Sequence, residues 1–178
     1  MAEASVSLEE GAARSLARRM AGAARLEVAA YDEVRRDESA TPQAVLVVAI
    51  VAVAQAIGAA GEGGPGVVGG LVPAFAGWIL WSGVAYLIGA RLLGKTVTWG
   101  ELLRTLGFAQ TPSILGVLGI VPGMSALVGV VLGVWLLITG VVAMRLVLGV
   151  STGRAIAISV AAWIIAHIPM VIAYEMVG

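Results

Sequence analysis

Long apolar runs separated by short polar turns make up most of this chain, behind a polar stretch that ends near Pro42. A helix needs about 20 apolar residues to cross the hydrocarbon core of a bilayer, and the runs are of that order. The pattern therefore predicts an all-α fold, a polytopic membrane protein built as a bundle of five transmembrane helices. The predicted spans are residues 44–60, 71–93, 102–121, 126–148 and 155–177.

Residues 1–41 form a polar arm ahead of the predicted membrane domain, which covers residues 42–178. Apolar residues recur in the arm near the helical period and share one face. They are Ala13, Leu16, Met20, Ala23, Ala24, Tyr31 and Val34. The other face carries Arg14, Arg18, Arg25, Asp32 and Arg36. The arm is predicted to be a cytoplasmic amphipathic helix that lies in the interfacial plane or docks on the bundle, with a solvated helix as the alternative.

The composition makes lipid the expected solvent of the membrane domain. Hydrophobic residues are 60% of the chain and charged residues 12%, with a mean hydropathy of +0.99, whereas a soluble domain usually carries about 25% charge. Cysteine is absent and His167 is the one histidine, so disulfides and a histidine metal cluster are not expected. We predict no catalytic, cofactor-binding or metal site, and the zero net charge indicates no nucleic-acid partner.

The distribution of basic residues predicts the orientation of the chain. All eleven Lys and Arg residues fall in the arm or near the loops after the second and fourth spans. Those outside the arm are Arg91, Lys95, Arg104, Arg145 and Arg154. The opposite ends carry only Glu62 and Glu175. Because cytoplasmic loops are enriched in Lys and Arg, we expect a multi-pass protein of the cell membrane with a cytoplasmic N-terminus and an external C-terminus. The first span is expected to be a retained anchor, since the arm lacks the apolar segment of a secretory signal.

The third apolar run opens with the most polar stretch of the membrane domain, Arg104 to Pro112. Charged and amide groups are costly in hydrocarbon, so they normally face a partner or a watery cavity. Proline also frees a backbone carbonyl one turn back, which needs another donor. The candidate functional residues are Arg104, Gln110, Thr111, Pro112, Arg145, Arg154 and His167.

Two interpretations apply to Arg104 and Arg145, which lie about one turn inside their predicted helix ends. Their guanidinium groups either reach the cytoplasmic headgroups and act as topology signals, or they join the arm to the bundle by pairing with Glu101, Asp32 or Glu33. The candidates for arm-to-bundle contacts are Tyr31, Asp32, Glu33 and Glu101.

Gln110 and His167 each have a functional and a structural interpretation. Gln110 and the carbonyl released by Pro112 could coordinate a polar substrate or ion, as broken helices do in transporters. The structural interpretation is a hydrogen bond from Gln110 to Gln55 or Thr139, and the absence of an internal repeat favours it. For His167 we expect a hydrogen-bonded packing role ahead of a kink at Pro169, and not a proton relay.

Several short blocks occur together in the predicted helices and their flanks. They are Tyr31-Asp32-Glu33-Val34, Gly89 to Gly94, Arg104 to Pro112, Trp135 with Val142-Ala143-Met144-Arg145, and Ser151-Thr152-Gly153-Arg154-Ala155. Over roughly residues 28–165 the chain resembles the bacterial branch of the Yip family, whose eukaryotic members are named for interaction with Ypt/Rab GTPases. The resemblance implies five spans and a cytoplasmic N-terminus. A Rab partner is not expected, because Tyr31 is followed by Asp32 where those relatives have a tyrosine–glycine motif.

Three functional hypotheses follow. The leading one is a non-enzymatic membrane scaffold or organiser that contacts the lipid bilayer and further copies of itself or other membrane proteins. Its partner-facing surface would be the arm with residues 91–104 and 145–154, and Gly129 and Gly133 would let helices approach closely. The alternative is a small transporter, channel or lipid-moving protein, and a hydrated cavity reaching Gln110 would support it. Its path would be lined by Arg104, Gln110, Thr111, Pro112 and His167. The weakest is an accessory subunit of an enzyme whose chemistry lies on another polypeptide.

Overall fold

All regular secondary structure in the part of the chain that the structure describes is helical, and this confirms the all-α prediction. The structure is a computed structural model that describes residues 15–64 and 66–177, with the side chains of residues 62, 167 and 169–177 outside that description. Some sequence predictions therefore concern positions outside the described residues. These are the positions of Ala13 and Arg14 and the side chains of Glu62, His167, Pro169 and Glu175.

The described part of the arm, from residue 15 onward, folds as two helices, where the sequence pattern predicted one. Helix α1 is described from residue 15 to residue 24, and α2 spans Val28–Arg36. Between them Leu26 has a φ of 65°, a left-handed conformation that ends the first helix. The corner is tight because α1 has a glycine where the two helices meet. A Cβ at Gly22 would lie 2.7 Å from the Cβ of Ala30.

Five further helices follow a 3₁₀ turn at Glu38–Ala40. They are α3 (Thr41–Ala59), α4 (Gly66–Tyr86), α5 (Trp99–Ala109), α6 (Ser125–Leu148) and α7 (Thr152–Val177). Helix α4 continues as a π-helix over Leu87–Leu92. The predicted capping box at the start of α5 is present, since the Thr98 side chain accepts from the Glu101 backbone and the Glu101 side chain accepts from the Thr98 backbone.

The third apolar run does not form one continuous α-helix over residues 102–121, as the hydropathy pattern predicted. Helix α5 ends at Ala109, and residues Thr111–Ile120 form a 3₁₀-helix. Pro112 explains the break, because it cannot donate to the carbonyl four residues back and its ring disfavours a continuing α-helix. A 3₁₀ stretch of this length is unusual.

Helix α3 and the 3₁₀-helix pack against each other at the level of their backbones. A Cβ on Gly58 would lie only 2.0 Å from the carbonyl oxygen of Gly116. Nearer the start of α3, a Cβ on Gly107 would lie 2.9 Å from the Cβ of Ala44. Such close approach is possible only with glycine, and it increases the van der Waals contact that holds helices together in lipid. Helix α3 therefore lies along the whole of the third apolar run.

In the part of the chain that the structure describes, three helical stretches are long and apolar enough to cross a membrane, namely Glu38–Ala59, Gly66–Leu92 and Ser125–Leu148. Their outward faces expose large apolar side chains such as Val68, Val72 and Val130, as expected for helices solvated by lipid. Within the described residues, the apolar part of α7 is the shorter stretch Thr152–Ala166. The count of five spans therefore stays a prediction.

Candidate functional site

Arg104 holds the end of the arm against the bundle. Its Nε donates to the carbonyl oxygen of Val34 at 3.0 Å, and its Nη2 donates to that of Arg35 at 2.6 Å. Its Nη1 also lies 3.4 Å from Oγ1 of Thr41 in α3. The last carbonyls of α2 have no partner within their own helix, and a cation at a helix C-terminus is favourable. The residue is only 6% exposed, so it does not reach headgroups by snorkelling; it caps α2.

Two other arginines join the arm to the bundle. Nη1 of Arg35 in α2 donates to Oε1 of Glu101 in α5 at 2.9 Å. Arg19 in α1 donates to Glu33 at 2.8 Å, to Asp37 at 2.6 Å and to Gln43 in α3 at 2.8 Å. The Arg19 side chain is 10% exposed, so its ion pairs are less screened than ordinary surface pairs. We call Arg19, Arg35, Glu101 and Arg104 the clasp.

An aromatic side chain secures the other helix of the arm. Nε1 of Trp135 in α6 donates to the carbonyl oxygen of Ala24, the last described residue of α1, at 3.1 Å. The fully buried Tyr31 donates its hydroxyl to the carbonyl oxygen of Ala23 at 2.9 Å. Burial raises the pKa of the Tyr31 phenol, so the hydroxyl keeps its proton and remains a donor. The C-terminal carbonyls of both arm helices thus accept hydrogen bonds from side chains of the bundle.

The predicted partners of these arginines were partly wrong. Arg104 binds backbone carbonyls and not Glu101, Asp32 or Glu33. Asp32 pairs with Arg35 and Arg36 inside α2, and Glu33 pairs with Arg18 and Arg19 of α1. Only Glu101 of the predicted acids bridges arm and bundle. Tyr31 packs in the common core with residues of α5 such as Leu102 and Leu106.

Arg19, Arg35 and the hydrogen bond of Trp135 were missed by sequence reasoning. Arg19 stands between Arg18 and Met20 in a charged arm, and nothing in its spacing distinguishes it from its neighbour. The helical break at Leu26 folds α1 back on α2, and this brings Arg19 to Glu33. The only signal that could have pointed to Arg35 was the complementary charge of Glu101.

Asp37, at the joint between the arm and α3, is held in its charged form. Hydrogen bonds from Ser39 and from Arg19 lower the pKa of Asp37 below its ordinary value of 3.8. The carboxylate therefore stays ionised at neutral pH and remains an acceptor for the guanidinium of Arg19. Among the described residues, no group of three or more His, Cys, Asp or Glu side chains could hold a metal ion.

Arg145 and Arg154 do not belong to the clasp. Both are exposed, at the end of α6 and the start of α7, and the structure gives neither a partner within residues 15–64 and 66–177. The end of α6 packs against the π-helix, since a Cβ on Gly89 would lie 2.5 Å from Cδ2 of Leu148. The exposed Arg91 of the π-helix therefore lies at the same end of the bundle as Arg145 and Arg154.

Internal hydrogen bonds satisfy the carbonyls around the break at Pro112. Oγ1 of Thr111 donates to the carbonyl oxygen of Phe108 at 2.7 Å, the group that Pro112 leaves without its helical donor. Oγ1 of Thr139 donates to the carbonyl oxygen of Ala109 at 2.8 Å. These carbonyls are therefore not free to coordinate a substrate or ion. The Gln110 side chain forms neither of the predicted bonds, because Thr139 is directed to backbone carbonyls and the structure records no hydrogen bond between Gln110 and Gln55.

Gln110 instead lines a cavity of about 340 Å³ between α3, α4 and the start of the 3₁₀-helix. Gln55 and Ser113 also line it, together with tryptophan rings and small residues. Arg104, Thr111 and Pro112 do not line it. The proposed path residues whose side chains are described are therefore divided between the clasp, the break at Pro112 and this cavity.

A helical bundle with lipid-facing apolar helices and a docked polar arm defines a membrane protein. A family model described as the Yip1 domain matches residues 28–173, which runs from the first residue of α2 into α7. The chain belongs to the Yip1 family, as the resemblance had suggested. A search of curated proteins and a search of solved structures each found no match.

Proposed function

We propose that this chain is a non-enzymatic, multi-pass scaffold of the cell membrane, with its N-terminus in the cytoplasm, and that its arm presents a surface to partner proteins. One observation carries the proposal: the C-terminal carbonyls of α2 are held by the buried guanidinium of Arg104. A helix fixed in this way presents its outward side chains in one orientation, and an interface with ordered side chains loses less entropy on binding.

The outward side of the arm and the neighbouring helix ends are rich in exposed arginine. Side chains of Arg18 and Arg36 are more than two-thirds exposed, and Arg91, Arg145 and Arg154 are exposed at the arm end of the bundle. A basic surface of this kind fits a partner with acidic groups and speeds its association. The same arginines support the proposed cytoplasmic orientation of the arm.

The membrane face of α6 supports association with further copies of the chain or with another membrane helix. Among the described residues, no atom lies within 4 Å of a Cβ placed on Gly129 or Gly133, so the described helices do not fill the groove between these glycines. Exposed apolar side chains, including Leu127, Val130 and Val134, surround it. Small residues four positions apart allow a second helix to approach closely in lipid.

Site-specific photocrosslinking in native membranes tests the scaffold role. A photoreactive residue at Ala29, which is exposed on α2, should give adducts of discrete mass with a partner or a second copy. The same residue at Val68, an exposed apolar position of α4, is the matched control and should give only lipid adducts. If position 29 yields no protein adduct, the scaffold proposal is wrong.

A second candidate function, a small transporter, channel or lipid-moving protein, is favoured by the cavity beside Gln110. Of the suggested path residues whose side chains the structure describes, Gln110 alone lines this cavity. Rapid labelling of a cysteine at position 110 by a small polar thiol reagent would support hydration of the cavity, because thiolate reactivity requires water. A cysteine at position 95 is the control. Failure to label position 110 while position 95 reacts would count against this candidate.

A further inference from the structure

The cavity beside Gln110 combines aromatic, small and uncharged polar side chains. Trp78, Trp81 and Trp163 contribute rings, and Ala52, Ala56 and Ala74 leave the space between α3 and α4 unfilled. The volume of about 340 Å³ lies at the lower end of the range of ligand pockets. It is large enough for the polar portion of an amphipathic molecule and too small for the whole of a membrane lipid.

The polar side chains of the cavity are well suited to donate hydrogen bonds. Gln55 and Gln110 bring amide groups and Ser113 brings a hydroxyl group. Ser113 is 2% exposed, and its side chain makes no recorded hydrogen bond to another described residue. Trp81, which also lines the cavity, has a buried indole N–H without a partner within the part of the chain that the structure describes. A buried donor left unpaired costs about 1–3 kcal/mol, so an acceptor in this cavity would be bound favourably.

Among the residues whose side chains the structure describes, none that is charged lines the cavity. A phosphate or carboxylate placed there would lose its hydration without gaining a counter-charge, and that is costly in an apolar surrounding. The described lining therefore disfavours an anionic head group and fits ester carbonyls and hydroxyls, which accept hydrogen bonds and carry no charge.

The location of the cavity points to a molecule that arrives from the bilayer. The cavity is lined by the two candidate membrane-crossing stretches Glu38–Ala59 and Gly66–Leu92. Gln55 is exposed at its edge, and Pro73 and Ala74 are half-buried. Val72, next to Pro73 on α4, is 73% exposed and offers an apolar surface on which an acyl chain can lie.

We propose that this cavity binds the glycerol and ester portion of an uncharged glycerolipid of the diacylglycerol class. The ester and hydroxyl oxygens accept hydrogen bonds from Gln110, Ser113 and Trp81, and the acyl chains remain in the bilayer along α4. This inference is independent of the scaffold role, because the clasp and the cavity share no residue.

A photoreactive diacylglycerol with a diazirine close to its ester group tests the proposal. The full chain is placed in phosphatidylcholine nanodiscs, irradiated, and analysed by peptide mass spectrometry. Labelling should concentrate on α3 and α4 around Gln55 and Ala74, and excess unlabelled diacylglycerol should remove it. An Ala74→Leu variant fills the cavity and a Gln110→Leu variant removes an amide donor, so each should reduce labelling about tenfold. Val130→Leu, at an exposed position of α6 that does not line the cavity, should leave labelling unchanged.

Three results would overturn the proposal. Labelling spread evenly over the exposed apolar faces would show that there is no site. Equal competition by a hydrocarbon chain without an ester would show that the polar groups do not recognise the ligand. Equal competition by phosphatidylglycerol would show that the site accepts an anionic lipid. Because competition is measured on the unaltered chain, the test stands even if one variant fails to fold.

Discussion

Replacing Arg104 with leucine should release the arm from the bundle. The substitution removes two charge-assisted hydrogen bonds, to the carbonyl oxygens of Val34 and Arg35 at 3.0 and 2.6 Å. Hydrogen bonds to charged groups contribute about 1.5–3 kcal/mol each, which sets an upper bound of about 6 kcal/mol. Water hydrates the released carbonyls and offsets part of this lost free energy. We therefore expect a loss of about 3 kcal/mol in docking free energy. That loss lowers the ratio of docked to released arm more than 100-fold.

Native-state proteolysis measures this ratio. Trypsin can cleave after Arg36 only when α2 opens, and if reclosing is fast the cleavage rate follows the open population. Cleavage at Arg36 in the full chain in nanodiscs should therefore accelerate about 100-fold in Arg104→Leu. Arg104→Lys should fall between the variant and the parent, because lysine keeps the charge but loses the planar fork of donors.

The matched control is Arg145→Leu, which removes an exposed arginine one turn inside another helix end. This variant should be cleaved at the same rate as the parent. If trypsin cleaves Arg104→Leu and Arg145→Leu at the same rate, Arg104 is only a topology signal and the capping role assigned to it is wrong.

Three further predictions concern the packing and charge of the same fold. Gly58→Ala places a Cβ 2.0 Å from a backbone oxygen, so the two helices must separate. The free energy of unfolding should fall by about 1–3 kcal/mol, measured by thermal unfolding in detergent. Gly129→Ala, where a Cβ meets nothing, should be neutral or slightly stabilising. Trp135→Phe removes the donor to Ala24 and should cost about 1 kcal/mol of arm docking, measured by trypsin cleavage within the arm. Because the pKa of Asp37 is lowered in the folded chain, its contribution to arm docking is complete at neutral pH and is lost as the pH falls below 3.8. An Asp37→Asn variant should not show this pH dependence.

Each of these predictions has a result that would contradict it. Equal melting of the Gly58 and Gly129 variants would show that the backbone contact with Gly116 is absent in the folded protein. An unchanged cleavage rate for Trp135→Phe would remove α6 from the docking of α1. An arm that detaches between pH 7 and pH 5 would place the controlling titration on a group other than Asp37.

The sequence pattern predicted the helix positions well, because hydrophobic runs and capping residues are local features. Helices α3 and α6 begin and end within about three residues of the predicted spans, and the capping box of Thr98 and Glu101 is in place. The break at Pro112 was recognised as a polar feature, but the continuation as a 3₁₀-helix depends on packing against Gly58, which no local pattern reveals.

The candidate site was predictable only in outline. The charge of Arg104 and its depth in the apolar run marked it as unusual, yet its partners are backbone carbonyls, which look the same in every sequence. Which carbonyls Arg104 reaches depends on how α2 packs against α5. Helix packing order cannot be read from hydropathy, because buried and lipid-facing positions are both apolar. The cavity beside Gln110 depends on the same packing.

The most direct test of the central claim, that the clasp fixes the arm on the bundle, is a distance measurement in membranes. The natural chain has no cysteine, so spin labels can be attached to single cysteines at Ala29 in the arm and Lys95 in the loop before α5. Double electron–electron resonance should give one narrow distance distribution for the parent and a broad, longer one for Arg104→Leu. A broad distribution in the parent itself would contradict the account, because the arm would then move freely with Arg104 in place.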